Sequence, residues 1–241
     1  MRGNLYVSMS GQIALEKRLD TIAANIANAT TPGYRAQGVS FSSILSKAGE
    51  RPASFVSTGT DYISRAQGAA EQTGNPLDVA VQGDAWLAVK TPDGTAYTRD
   101  GRMQMSASGE LQTMNGYPVL DAGGSAMQLA TDGGPPKIAA DGMMTQAGNQ
   151  VGAIGMFSIP ANAKLTRYDN SAVLTDKPAT PVLDFTRNGI AQGFAEGSNV
   201  NPVLELTKLM QIQRAFESLA NLQTSSESSL QDAIKTLGST S

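Results

Sequence analysis

Four aspartates in the middle of the chain, Asp78, Asp84, Asp93 and Asp100, are the residues whose type and spacing could do chemistry. Two carboxylates facing each other across a cleft are the minimal set for general acid and base catalysis. Asp93 and Asp100 each precede a glycine, however, and Asp78 and Asp84 flank a short apolar run, so turn and strand-end roles are the simpler reading. No other catalytic set accompanies them. The 241 residues contain neither Cys nor His, which removes thiol nucleophiles, disulfides, imidazole bases and the two commonest soft metal ligands. The glycine-rich fingerprints of dinucleotide and phosphate binding and the G-x-S-x-G elbow are missing as well. The Asp-Gly pairs lack the spacing of a calcium-binding loop. Catalytic, cofactor-binding and metal sites are therefore all expected to be absent, and the chain is not expected to be an enzyme. Arg99 and Arg102 bracket Asp100-Gly101 and are expected to be solvated or paired with neighbouring Asp. The single Trp86 lies in an apolar run and reads as core.

Composition narrows the classes further. Lys and Arg number 18 against 21 Asp and Glu, a net charge of −3, and only 16% of residues are charged. That balance points neither to nucleic acid as a partner nor to charge-driven disorder. The length suits one large or two small domains with a sizeable core. Nowhere do roughly 18 uninterrupted apolar residues occur, so no membrane-spanning helix is expected. In the opening MRGNLYVSMSGQIALEKRLD, the charges at Glu16, Lys17, Arg18 and Asp20 prevent an apolar signal-peptide core.

The elements that would position any function lie mainly at the two ends. Leu5, Gln12, Leu19 and Ile26, interleaved with Ser8, Leu15, Ile22 and Ala29, form a stripe with a seven-residue repeat, the pattern of a seam between helices. Glu16, Lys17, Asp20 and Asn25 read as the opposite face. Thr30-Thr31-Pro32-Gly33 stops this helix, because Pro32 restrains Thr31 and Gly33 tolerates left-handed angles. Near the other end Asn201 can cap a helix and Pro202 suits its first position. A second stripe follows through Leu209, Ile212, Phe216, Leu219 and Leu222, softens, and resumes at Leu230, Ala233, Ile234 and Leu237. About 36 helical residues would span about 54 Å, more than the rest of the chain could cover, so part of this apolar surface is expected to meet other molecules. Pairing of the two ends with each other would still leave half of it bare. The expected subunit-packing residues are Leu5, Leu15, Leu19, Ile22 and Ile26, with Leu209, Ile212, Phe216, Leu219, Leu222, Leu230, Ile234 and Leu237.

Between the stripes the signal is β. Short apolar runs at 77–81 and 86–89 are followed by Asp93-Gly94, Asp100-Gly101, Ser108-Gly109, Asn115-Gly116, Asp132-Gly133 and Asp141-Gly142. Asx-Gly pairs supply the positive backbone angles of tight hairpins, and their repetition predicts an antiparallel sheet domain. Residues 36–74 are small, polar and aperiodic and read as an extended connector. The fold class is thus α+β: an N-terminal helix over 1–35, the connector over 36–74, a β-rich domain over 75–195 and a C-terminal helix over 196–241.

Four segments carry a family likeness: AANIANATTPGYR (23–35), GNPLDVAVQGDAWLAV (74–89), AYTRDGRMQMSASGELQTMNGYPVLD (96–121) and EGSNVNPVLELTKLMQIQRAFE (196–217). In this order they resemble the signature segments of the bacterial flagellar rod and hook family. The resemblance implies terminal helices packed in a coiled-coil-like inner domain and a β-rich outer domain. It implies a structural subunit of the periplasmic rod that transmits torque from motor to hook. It also implies export by the flagellar type III apparatus without a cleaved signal. Expected partners are the proximal and distal rod proteins, copies of the chain itself and the export apparatus. An exported surface adhesin, binding carbohydrate or a host protein through its β domain, is the competing expectation.

Overall fold

The computed structural model describes the backbone of residues 2–46 and 53–238, with side chains described over 7–44, over 56–222 and at scattered positions beyond. Two helices stand at the ends, α1 (Arg2–Ala27) and α2 (Pro202–Gly238), with short strands between them. Asn201 caps α2 as its type suggests, its Oδ1 accepting from Leu204 N at 3.1 Å. Among the described residues no helix is long and apolar enough to cross a membrane. The chain divides into two compact units, one holding residues 1–26, 37–61 and 201–241, the other residues 27–36 and 62–200.

The second unit is built on a six-stranded antiparallel sheet. Its strands run in the order Leu165–Arg167, Ala172–Thr175, Gly94–Thr98, Ala85–Thr91, Met156–Ser158, Thr180–Pro181. The central strand is apolar at nearly every position because both faces of the sheet are covered. Side chains alternate in direction along it, so Ala85, Leu87 and Val89 enter one core while Trp86 and Ala88 enter another. Its neighbours split the same way: Ala96, Met156 and Ala172 join the first core, and Tyr97, Phe157 and Val173 the second. Tyr97 and Phe157 meet edge to face with ring centroids 5.8 Å apart. Trp86 is buried, as its apolar surroundings suggested.

Several expected hairpin tips are observed. Pro92-Asp93 form the two-residue loop between the central strand and its neighbour, with Thr91 opposite Gly94. Gly94, Gly109, Gly116 and Gly142 have positive φ. Asp100-Gly101 is different. Gly101 lies outside the left-handed region, and what it supplies is room: a methyl group there would sit 1.9 Å from Val79 O.

Residues 36–74, expected as an extended connector, carry five short strands among the described residues. Gln37–Ser40 pairs with Thr60–Ile63, Ser43–Ser46 with Ala53–Val56, and Ala70–Gln72 with Phe194–Glu196. Backbone pairing organises this region in place of an apolar pattern, which is why periodicity did not mark it.

In the first unit α1 and α2 touch. A methyl group at Gly11 would lie 4.0 Å from Leu219 Cδ1, and Asn25 Nδ2 donates to Glu205 Oε2 at 3.3 Å. Asn25 is thus buried, not on the outward face where the stripe placed it. A bonded amide can occupy a seam that an unbonded one would disrupt. Lys17, also expected outside, reaches Asp61 at 3.1 Å and donates to Thr58 O at 3.3 Å.

Leu87 is 1% exposed at the centre of the sheet and Leu183 is 87% exposed on a loop. Leu87→Ala is expected to cost about 2–5 kcal/mol, and Leu183→Ala no more than about 0.5 kcal/mol. Denaturant midpoints of the two variants check the contrast.

Candidate functional site

The residues that interrupt α1 are built into the β unit. After Ala27 the chain turns twice, Thr31 N donating to Asn28 O at 3.1 Å and Tyr34 N to Thr31 O at 3.2 Å. Gly33 N then donates to Glu196 O at 2.7 Å. Gly33 is required on two counts: its φ is +68°, and a methyl group there would lie 2.1 Å from the backbone nitrogen of Asp100. Tyr34 is buried, with the Arg167 guanidinium 4.3 Å above its ring, a cation–π contact that also shields the phenol. Arg167 donates in addition to Arg35 O.

Arg35 follows and is 1% exposed. Its Nη2 lies 2.6 Å from Glu196 Oε1, while Arg99 Nε lies 2.8 Å from Glu196 Oε2. One carboxylate therefore joins two buried guanidiniums. Further donors go to backbone carbonyls, Arg99 to Gly83, Ala85 and Val81 and Arg35 Nη1 to Ala66, while the buried Arg35 Nε has no hydrogen-bond partner. Glu196 Oε1 also accepts from Gly68 N at 3.0 Å, and Trp86 lies with its ring centroid 5.7 Å from Arg35 Cζ. Burial pulls the Arg35 guanidinium down to about 10 against the opposing pull of Glu196, so it stays charged at neutral pH. Burial lowers Arg99 too, again opposed by Glu196. The expectation that Arg99 is solvated or paired with a neighbouring Asp is thus corrected: its partner lies 97 residues away. Arg102 does take the local partner, with two bonds of 2.9 and 2.8 Å to Asp100. The hydrogen bond to Asp100 is the main reason its pKa is raised.

This arrangement holds distant chain segments together. Glu196 is saturated by donors. Asp78 is buried and takes Asn75 Nδ2 at 2.9 Å. Asp100 is occupied by Arg102, Asp93 forms a hairpin tip, and Asp84 N is bound by Asn188 Oδ1 at 3.0 Å. Among the described residues no group of three acidic side chains is placed to hold a metal ion.

The expected packing residues fall into distinct settings. Ile22 and Ile212 are buried within the first unit. Leu15, Leu19, Ile26, Leu209, Phe216 and Leu219 are half-buried, and Leu222 is exposed. The side chains of Leu5, Leu230, Ile234 and Leu237 lie outside the described residues. Sequence periodicity did not mark a second apolar strip on α2. Val203, Leu206 and Met210 are exposed at spacings of three and four, on the side opposite Glu205 and Ile212. Met9 and Ile13 are likewise exposed on α1. The Arg35–Glu196–Arg99 set was also missed, because pairing over such separations leaves no local signal.

Removing the central carboxylate would leave two buried cations facing each other. Glu196→Ala is expected to cost about 3–5 kcal/mol, and Gly33→Ala to destabilise the same unit through backbone collision. Guanidinium-denaturation curves of the full chain test both, with Arg102→Ala as the partly exposed pair whose loss costs less than about 1 kcal/mol.

The two helices and the β unit each correspond to a known family segment. Residues 5–35 match the family described as flagella basal body rod protein, residues 80–166 the flagellar hook protein FlgE/F/G D1 domain, and residues 191–236 the flagellar basal body rod FlgEFG protein C-terminal segment. Arg35, Arg99 and Glu196 come one from each. The segments LYVSMSGQIALEKRLDTIAANIAN and GNPLDVAVQGDAWLAV point to FlgF within the family, with FlgG the nearest alternative. Consistent with that, the chain is 52% identical over 241 residues to the flagellar basal-body rod protein FlgF of Mesorhizobium japonicum, covering all of both chains. It is 45% identical to FlgF of Rhizobium meliloti, covering 99% of each. With the FlgG rod protein of Bacillus subtilis it shares 30% identity over 97% of its own length and 98% of the other. With all three family segments present in order and such relatives matched over their whole length, the chain belongs to the FlgE/F/G family of flagellar basal-body rod and hook proteins.

Proposed function

We propose that the chain is a structural subunit of the flagellar basal-body rod, working by packing and not by catalysis. The observation that carries this reading is the full-length similarity to FlgF rod proteins, which includes both terminal helices. An adhesin needs only its β domain to be specified, whereas here both ends are shared with rod proteins, so the rod reading is favoured over the adhesin.

In the finer reading, α1 and α2 form a coiled-coil-like inner domain and the sheet an outer domain. The helices supply the surfaces by which neighbours assemble. Val203, Leu206 and Met210 on α2 and Met9 and Ile13 on α1 are exposed large apolar residues. Apolar side chains aligned on one helical face are the usual means of helix association. Neighbours would be the proximal and distal rod proteins and further copies of the chain. The location is the periplasmic rod, reached through the flagellar type III apparatus without a cleaved signal. Absence of Cys and a modest proportion of charge suit a chain delivered unfolded and assembled outside the cytoplasm. Torque passes from motor to hook through these packed seams.

Met210 is 52% exposed, so Met210→Asp is expected to leave the purified chain folded, with a melting temperature near that of the parent, while abolishing rod assembly and swimming motility. Leu19→Asp and Phe216→Asp, at half-buried seam positions, are expected to stop assembly as well. Full motility of the Met210→Asp strain would remove that face from the subunit interface. An adhesin's β-domain binding would survive all three changes.

A further inference from the structure

We propose that Asn25 and Glu205 act as a register pin between the two terminal helices, selecting one alignment of the seam. The amide of Asn25 is bonded on both atoms. Its Oδ1 accepts from Gln37 N at 2.8 Å, its Nδ2 donates to Gln37 O at 2.9 Å, and the same Nδ2 donates to Glu205 Oε2 at 3.3 Å. The other carboxylate oxygen of Glu205 lies 2.6 Å from Lys208 Nζ. Asn25 and Glu205 are 2% and 5% exposed, and Ala14, Ile22 and Ile212 on the same two helices are also buried.

The alignment can be read from two contacts. Gly11 faces Leu219 and Asn25 faces Glu205. From Gly11 to Asn25 is 25 − 11 = 14 residues along α1, and from Leu219 to Glu205 is 219 − 205 = 14 residues back along α2. The helices are therefore antiparallel and in step over two seven-residue repeats, about 21 Å of helix. Apolar seams alone discriminate poorly between neighbouring alignments, since Leu and Ile contacts are interchangeable. A single buried polar pair discriminates well, because every other alignment leaves it unmatched. A slip of one turn toward the middle of α1 would set the Glu205 carboxylate beside Ile22 and leave the Asn25 amide opposite Pro202, the first residue of α2, which offers it no side-chain acceptor. The Gln37 backbone fixes the Asn25 side chain independently of α2, so the pin stands ready before the helices meet. Glu205 lies in the first turn of α2, where the helix dipole favours its charge.

This inference concerns alignment within one chain and does not depend on the rod reading. It is tested by thiol crosslinking of the full-length protein, which has no Cys of its own. Gly11→Cys is combined in turn with Ala215→Cys, Leu219→Cys or Leu222→Cys and treated with a short bis-maleimide. With the parent seam the pair at 11 and 219 is expected to react about tenfold faster than the other two. In the Asn25→Leu background that preference is expected to fall by about tenfold, the loss corresponding to one charge-assisted hydrogen bond. Glu205→Leu leaves the Asn25–Gln37 bonds intact and is expected to loosen the alignment in the same way, so it supplies the readout if Asn25→Leu does not fold. Glu205→Gln retains an oxygen for the Asn25 amide and is expected to keep the parent preference. An unchanged preference in a folded Asn25→Leu or Glu205→Leu protein would overturn the proposal. So would a loss of preference in Glu205→Gln as large as in Glu205→Leu, which would assign alignment to the Lys208 pair instead.

Discussion

Everything in the β unit converges on the Glu196 carboxylate between Arg35 and Arg99. Three side chains of opposite sign, each nearly excluded from water, are stable only together, because an isolated buried charge carries a desolvation cost that no neighbouring apolar contact offsets. The three come from the loop after α1, from the strand region of the sheet and from the approach to α2. Their meeting fixes where the chain enters and leaves the unit. Asn199 extends the lacing, accepting from Ala36 N at 2.6 Å through Oδ1 and donating through its backbone to Tyr34 O at 3.2 Å. The ends of a stretch that begins at residue 27 and closes at residue 200 are thereby held side by side within one unit.

That anchorage imposes its own demands on the sequence. The loop can reach Glu196 only if the backbone at Gly33 passes against Asp100 without a side chain, and the Asp100-Gly101 corner can close only if Gly101 leaves room for Val79 O. Arg99 in turn replaces the missing partners of three carbonyls at a bend between the Val79–Gln82 and Ala85–Thr91 strands. The guanidinium is therefore both an ion-pair partner and a stand-in for ladder hydrogen bonds, which a lysine with its single ammonium could not supply in the same plane. The two-sided core behind this corner makes the unit stiff, as interiors packed on both faces of a sheet are.

The helical unit follows a different design. Asn25 and Glu205 are buried where its two helices meet, and its surface retains exposed apolar side chains. A domain whose stability came only from the helix pair would have little reason to keep Val203, Leu206 and Met210 at the surface. In the proposed rod subunit the same residues are the candidate contact area for neighbours. A sheet packed on both faces and helices with exposed apolar side chains suit the proposed structural role.

Much of this was legible in the residue order. The seven-residue stripes, the Thr-Thr-Pro-Gly stop, the Asn201-Pro202 start and the Asx-Gly tips are all local signals, set by backbone angles and by the period of a helix, and they marked both helices and the antiparallel character of the middle. The absence of Cys and His, with no nucleotide or esterase motif, narrows the chemistry open to the chain. What the order of residues could not convey was pairing across distance. Arg99 looked like a surface charge until Glu196 came within 2.8 Å of it, and Asn25 looked outward until Gln37 and Glu205 bonded its amide. The strands of 37–72 showed no apolar period because backbone hydrogen bonds hold them. Period and turn chemistry act within a few residues and can be read from sequence. Compensation of a buried charge or amide depends on which distant group the fold brings beside it, and only the tertiary structure decides that.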